Sequence, residues 1–386
     1  MKQRKWAAFL GFALLMAGLG ANDALRGIFA PVFQERYGLN GSQLSLIVTI
    51  SYVGNLLFLS AGGKLLDLFP RKRVAMAVTA VWAAAIVMNL LSDGYTWILV
   101  SMFFALGAST LLNTTVNILT PAVFAGYAGL MVNLFFFIQG IGTSMSQLLL
   151  GRYAFHYGGW KWINAVLLII AGLVILLFFF LKVPEQEKEK ESQTESEKKE
   201  PDRVVLWIFT AMMGCYFIGE HGIMNWLLSY CISAFSMEAG EASLSLSLFW
   251  GGMTAGRLLF APAVQKMGTV QSMKLFGGIG TAMFCIGCAV GEKGVLILGA
   301  SGFALAVLYP TMVLLIQQIY PARTAATRTG MIISTATVAD IAFNMLFGAA
   351  SSAWGYRASF MILPAAMAVF YSLYIKLTEM LKESER

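Results

Sequence analysis

The sequence predicts an all-α membrane protein of twelve transmembrane helices arranged as two six-helix repeats. Three observations predict it: scarcity of charge, the length of the apolar runs and an internal repeat near 200 residues. Of 386 residues, 58% are hydrophobic and 12% charged, with a mean hydropathy of +0.72. Soluble domains carry about 25% charged residues. A surface this poor in charge excludes an ordinary cytosolic enzyme, a nucleic-acid-binding module and a disordered chain. The net charge of +7 does not reopen the nucleic-acid reading, because the basic residues sit in short loops between apolar segments.

A helix that crosses the hydrocarbon core needs about 20 mostly apolar residues. Gly, Pro and charge clusters divide the chain into such segments. The first, 6–31, resembles a signal peptide at its start, but its apolar run continues past Gly20 without a small-residue cleavage site, so it reads as a retained span. The others of this half are 42–69, 74–92, 95–119, 127–152 and 161–182, the last with Asn164 as its only strongly polar residue. Residues 184–202 then hold eight acids and four lysines, too short and too polar to fold alone. The second half supplies 204–233, 242–266, 270–290, 294–319, 325–353 and 357–379. The implied organisation is an N-terminal six-helix bundle (1–183), a charged cytoplasmic linker (184–203) and a C-terminal six-helix bundle (204–386).

With an even number of spans, both termini share one side. Placing them in the cytoplasm puts 20 Lys and Arg inside and only Arg36, Arg152, Lys161, Lys293 and Arg357 outside. That asymmetry assigns both termini and the linker to the cytoplasmic side of a cell membrane. Cys215, Cys231, Cys285 and Cys288 all lie in apolar stretches. No second Cys pair or His cluster accompanies Cys285-x-x-Cys288, so neither a metal site nor a cofactor is expected.

The halves repeat one another. Gly159-Trp160-Lys161 recurs as Gly355-Tyr356-Arg357, and Thr120-Pro121 as Tyr320-Pro321. Parallel repeats of this kind place a substrate site at the bilayer midplane, between the halves. After the second span, Gly63, Asp67, Arg71 and Lys72 fall on the pattern G-x-x-x-D-[RK]-x-G-R-[RK], from which Leu68 and Pro70 depart. In the second half Lys266 and Gly268 fill the departed positions, while Gln265 replaces the Asp. This pattern, with the repeat and the span count, resembles the major facilitator superfamily. A Gly there permits close helix contact, and an Asp can pair with basic groups to latch one state, so these residues are gating candidates. Arg257, inside the eighth span, is a further candidate for gating or structure. A plain basic stop-transfer cluster is the bland alternative.

Three acids fall inside spans away from their ends: Asp23, Glu220 and Asp340. An ionisable group at membrane depth is costly and marks function by default. Asp23 either pairs structurally with Arg26 at i+3 or carries a proton; the two readings stand level. Shifting Asn22-Asp23 by 198 positions lands on Glu220-His221, so both halves carry a polar pair at equivalent depth. Asp340 and Asn344 share a helix face, where interhelical hydrogen bonding is favoured over ligand contact. Asn113, Asn117 and Thr110 form a stripe in the fourth span, with Asn133, Gln139 and Gln147 more loosely arrayed in the fifth. Amides donate and accept, which suits a polyhydroxylated ligand; helix–helix glue explains any single one equally well. Trp226 and Tyr309 could stack on the apolar face of a sugar, although aromatics are more often packing.

Within the superfamily, several segments resemble the fucose–proton symporter family of sugar porters. They are Asn22-Asp23, Glu220-x-Gly222-Ile223-x-x-Trp226-Leu227, Asn113-x-x-x-Asn117, the amides Asn133 and Gln139, and Tyr309-Pro310-Thr311. The resemblance implies proton-driven uptake of a monosaccharide, with Asp23 as the coupling acid and Asn113 on the sugar. Where that family often has Glu, this chain has Asn113, which cannot titrate. Coupling then falls to Asp23 or Glu220, unless the protein is a uniporter or its substrate differs.

The sequence therefore reads as a non-enzymatic secondary transporter, a monomer in the lipid bilayer, moving a small polar solute, a sugar first among candidates, with protons. Substrate contacts are expected at Asn22, Asn113, Asn117, Asn133, Gln139, His221, Trp226, Tyr309 and Asn344. An exporter of drugs or amphipathic molecules is the main alternative, and the amide stripes weigh against it. A membrane-embedded enzyme or receptor ranks last, since no H-E-x-x-H, G-x-S-x-G or P-loop pattern occurs.

Overall fold

The computed structural model describes residues 2–91, 93–124, 128–180 and 201–384, with side chains at all of these except 2–5, 63, 64, 67, 121, 128–130, 322, 323, 326 and 382–384. Most of the predicted linker lies outside these residues. Two compact units are formed, Met1–Lys190 with Ala239–Ser243, and Glu191–Glu238 with Leu244–Arg386.

The first unit holds α1 (Lys2–Ile28), α2 (Ala30–Tyr37), α3 (Gly41–Leu68), α4 (Arg71–Leu91), α5 (Tyr95–Val123), α6 (Ala128–Leu150) and α7 (Tyr157–Phe180). The second holds α8 (Arg203–Phe235), most of α9 (Ala239–Met267), α10 (Thr269–Val290), α11 (Val295–Leu305), α12 (Leu308–Ile319), α13 (Ala322–Ser359) and α14 (Ile362–Ser384). No strand occurs among the described residues.

Ten stretches among the described residues are long and apolar enough to cross a membrane. One of them, Thr269–Ile319, runs for 51 residues. It folds back at Gly291–Gly294, which sets Gly287 against Leu298 and Gly280 against Leu305, and so contains two crossings. The helix α9 is not among the ten; Glu241, Arg257 and Lys266 lower its hydropathy. With α9 and the doubled segment, the expected twelve crossings are present.

Three boundaries differ from the hydropathy reading. The first span breaks at Phe29, and α2 restarts with Pro31 in its opening positions, where the missing N–H costs nothing. The tenth span is two helices, because Pro310 in the first turn of α12 offers no donor to the preceding turn. The eleventh span runs into the short turn before the twelfth, broken only at Gly355, whose φ of 77° favours glycine.

Helices pack through small residues, since lipid supplies no hydrophobic drive for association. A Cβ on Gly20 would collide with the Gln139 carbonyl, and one on Gly142 with the Ala17 carbonyl. The two glycines thus bring α1 and α6 into backbone contact. Edge-to-face rings fill the first unit around Phe12, which meets Phe124, Phe135 and Phe178.

At one end of this unit a polar clamp joins three segments. Arg36 pairs with Asp93 and lies over the Tyr157 ring at 3.8 Å, while Tyr37 donates to Asp93 Oδ1 at 2.8 Å. The Arg36 guanidinium holds the Asp93 carboxyl well below the usual carboxylate range. A carboxyl depressed on folding stabilises above its unfolded pKa, and that contribution disappears as pH falls through the lower folded value. Thermal midpoints measured against pH should therefore fall more steeply in acid for the parent than for Arg36→Gln. The difference should be small, because the two side chains are 38% and 52% exposed.

Candidate functional site

Each unit carries polar side chains around its candidate acids within its apolar helices. In the first, α1 presents Asn22, Asp23 and Arg26. Asp23 is half-buried. Ser109 Oγ on α5 donates to its Oδ1 at 2.8 Å, and Asn22 Nδ2 approaches the same oxygen at 3.4 Å. Asn22 is buried and held in turn by Trp82 Nε1 of α4 at 3.1 Å. Arg26 turns to α3, donating to Ser51 Oγ at 2.8 Å and to Tyr52 Oη at 3.0 Å, with its guanidinium over the Tyr52 ring. The guanidinium hydrogen bonds thus tie α1 to α3, and the Asp23 bonds tie it to α5.

The amide stripe lies along α5 beside this acid. Asn113 Nδ2 donates to Gln139 Oε1 of α6 at 3.1 Å. The Oδ1 atoms of Asn113 and Asn117 are buried and have no hydrogen-bond partner among the described residues. The Asn55 amide nitrogen adds a donor to Leu106 O (2.6 Å) and Thr110 Oγ1 (3.0 Å), which occupies Thr110. Asn133 sits on the exposed side of α6.

The second cluster centres on α8. Glu220 is buried and meets the Tyr216 hydroxyl. Glu220 and Arg257 both act electrostatically on Tyr216 and Tyr309. His221 Nδ1 lies 2.6 Å from Asp340 Oδ2 on α13. Asn344 Nδ2 donates to Asp340 Oδ1 at 3.1 Å, and its Oδ1 accepts from Trp226 Nε1 at 2.9 Å and Asn225 Nδ2 at 3.3 Å. Phe217 stacks on the His221 ring at 5.2 Å and lies 6.0 Å from the Tyr309 ring. Trp226 is fully buried and stacked on Phe347, which removes its ring face from any ligand.

Thus Asn22 and Asp23 share one network, Asn113 and Gln139 another, and His221 and Asn344 a third, while Glu220 and Tyr309 act electrostatically on each other beside it. Gly63 and Asp67 lie outside the residues whose side chains are described. Arg71 is half-buried at the start of α4, and Lys72 Nζ caps the last turn of α7 through Phe179 O at 2.9 Å. Arg257 is exposed on α9. Sequence reasoning missed Ser109, Trp82 and Asn225. The position of Ser109, 200 residues before Tyr309, was the available signal for the first.

The family model described as Major Facilitator Superfamily matches residues 8–332. Two curated relatives are both described as Protein TsgA homolog. One, from Serratia proteamaculans, is 24% identical over 264 residues, covering 66% of this chain and 64% of the relative. The other, from Edwardsiella ictaluri, is 22% identical over 321 residues, covering 80% and 78%. Among solved structures, the nucleoside transporter NupG aligns with a TM-score of 0.73 at 12% identity, over 97% of this chain and 99% of that one. A D-xylose–proton symporter aligns at 0.75 and 14%, over 96% and 97%. The fucose transporter FucP in its outward conformation aligns at 0.64 and 17%, over 96% and 98%. At these identities the likeness is one of fold.

Proposed function

From the membership of this chain in the major facilitator superfamily, we propose that it is a secondary active transporter that moves a small polar solute, a sugar first, across the cell membrane together with protons. It is a transporter and not an enzyme. The observation that carries the solute reading is the pair of buried, unpartnered amide oxygens on Asn113 and Asn117. A buried acceptor without a donor costs about 1–3 kcal/mol. A solute rich in O–H groups relieves that cost on binding, whereas a lipophilic cation does not. Asn22, Asn133, Gln139, His221, Tyr309 and Asn344 complete the proposed polar contacts, with Trp226 placing Asn344.

Asp23 is proposed as the coupling acid, with Glu220 as its counterpart in the second half. Both hydrogen bonds to Asp23 end on Oδ1, which leaves Oδ2 as the atom to hold a proton. Gly63, Asp67, Arg71, Lys72 and Arg257 are proposed to serve gating, with both termini cytoplasmic and the protein a monomer. The neighbours described as D-xylose–proton and fucose–proton symporters support this reading by analogy of fold.

A thermal-shift screen against hexoses, pentoses, nucleosides and lipophilic cations, followed by uptake into proteoliposomes, tests it. A stabilising sugar whose uptake falls at least about tenfold in Asn113→Leu is the expected result, equivalent to about 1.4 kcal/mol of lost binding. Stabilisation by lipophilic cations alone would favour an exporter.

A further inference from the structure

The second unit contains a proton acceptor that the coupling scheme above does not use. We propose that His221 and Asp340 form a proton-binding pair joining α8 to α13, in which His221 Nε2 gains and loses the proton. The hydrogen-bond polarity carries the assignment. Asn344 Oδ1 accepts from Trp226 Nε1 and Asn225 Nδ2, so its amide nitrogen must point the other way. That nitrogen donates to Asp340 Oδ1 and to the Asp340 carbonyl, which fixes Oδ1 as an acceptor. At 2.6 Å from His221 Nδ1, Asp340 Oδ2 is assigned as accepting from an Nδ1–H, the direction in which Asp340 is ionised. With Nδ1 committed as donor, Nε2 is the nitrogen at which protonation changes.

Burial makes the pair a point of exchange and not only a brace. Asp340 is fully buried, whereas the His221 side chain is 22% exposed. With the imidazole charged, the pair is neutral overall; with it neutral, the buried carboxylate has no ion-pair partner among the described residues. Leaving one charge of a buried pair uncompensated is strongly destabilising. Loss of the proton therefore weakens the seat of α13 on α8, the kind of two-state contact through which a helix can shift.

Among the described residues, titratable groups near the pair come from α8, α9, α12 and α13. On α8 they are Glu220 and Tyr216; α12 brings Tyr309 and α9 brings Arg257, which act together around Glu220. From α13 comes Asp340 itself, while α11 carries no titratable residue. From α14 the residues against Gly219 and Gly222 are Met367 and Leu363, while Tyr371 packs on Gly278 of α10 and Tyr374 bonds Val270 O. The role of this proton in transport rests on the reading above; its binding does not.

The chain has two histidines, His156 and His221. In full-length His156→Gln protein labelled with ¹⁵N-histidine, His221 is the sole imidazole seen by NMR. The expected result is one titration step between about pH 5 and 8, with Nδ1 remaining protonated throughout. Asp340→Asn should move that midpoint by about one unit or more. An imidazole that does not titrate in this range, or a midpoint that Asp340→Asn leaves in place, overturns the proposal. Should Asp340→Asn fail to fold, infrared difference spectra across the same range decide between the parent and His221→Gln. Loss of the carboxylate change that accompanies the histidine step supports the pair, and its persistence refutes it. Neither readout needs a solute, so its failure is distinct from failure of sugar uptake.

Discussion

Asp23→Asn should abolish accumulation of solute while leaving downhill entry intact. One proton moving across a membrane potential of 100 mV releases about 2.3 kcal/mol. At about 1.36 kcal/mol per tenfold, that drives roughly fifty-fold accumulation. An amide at residue 23 keeps the size of the side chain and its bond from Ser109 Oγ, which is 2.8 Å from Oδ1. It removes only the capacity to bind and release a proton. In energised vesicles the accumulation ratio should fall from tens to about one, with counterflow of labelled solute preserved. If Asp23 instead serves structure beside Arg26, the variant should lose folded protein and both activities together. Asp23→Glu, which retains a titrating group, should recover part of the accumulation.

Asn344→Leu should cause the largest loss of stability of any single polar substitution in the second unit. Interhelical hydrogen bonds in a bilayer average only about 0.6 kcal/mol, because the unfolded helices find other partners. Asn344 differs in serving three groups at once, Trp226 Nε1, Asn225 Nδ2 and Asp340 Oδ1. All four residues are buried. Leucine would orphan the Trp226 donor, take one acceptor from Asn225 and strip one donor from a buried carboxylate, at about 1–3 kcal/mol for an orphaned group. A fall in thermal midpoint of roughly 5 °C or more is expected for a unit of this size. Leu346→Ala, on the same helix but 67% exposed, should change it little.

Helix positions were legible because a bilayer demands long apolar runs whatever the rest of the chain does. The breaks at Phe29 and Ala306 were not, since hydropathy continues through both; Pro31 and Pro310 mark them only once backbone donors are counted. Asp23 and Glu220 were legible as candidates through their cost at membrane depth. Their partners were not. Ser109 is one residue from the Thr110–Asn113–Asn117 stripe, and intrahelical bonds such as Thr115 Oγ1 to Leu111 O absorb most hydroxyls in these helices. The i+4 spacing placed Asp340 and Asn344 on one face, but only the packing of α8 on α13 shows that His221 and Trp226 meet that face. Trp226, read as a stacking surface for sugar, stacks instead on Phe347.

The central claim is that solute and proton move together. Its most direct test is proton flux in proteoliposomes of the unmodified protein, with no imposed gradient, on addition of the sugar selected by thermal shift. Alkalinisation of the outer medium upon sugar entry, absent in Asp23→Asn, is the predicted result. Sugar entry at the same rate without any proton movement would contradict the account.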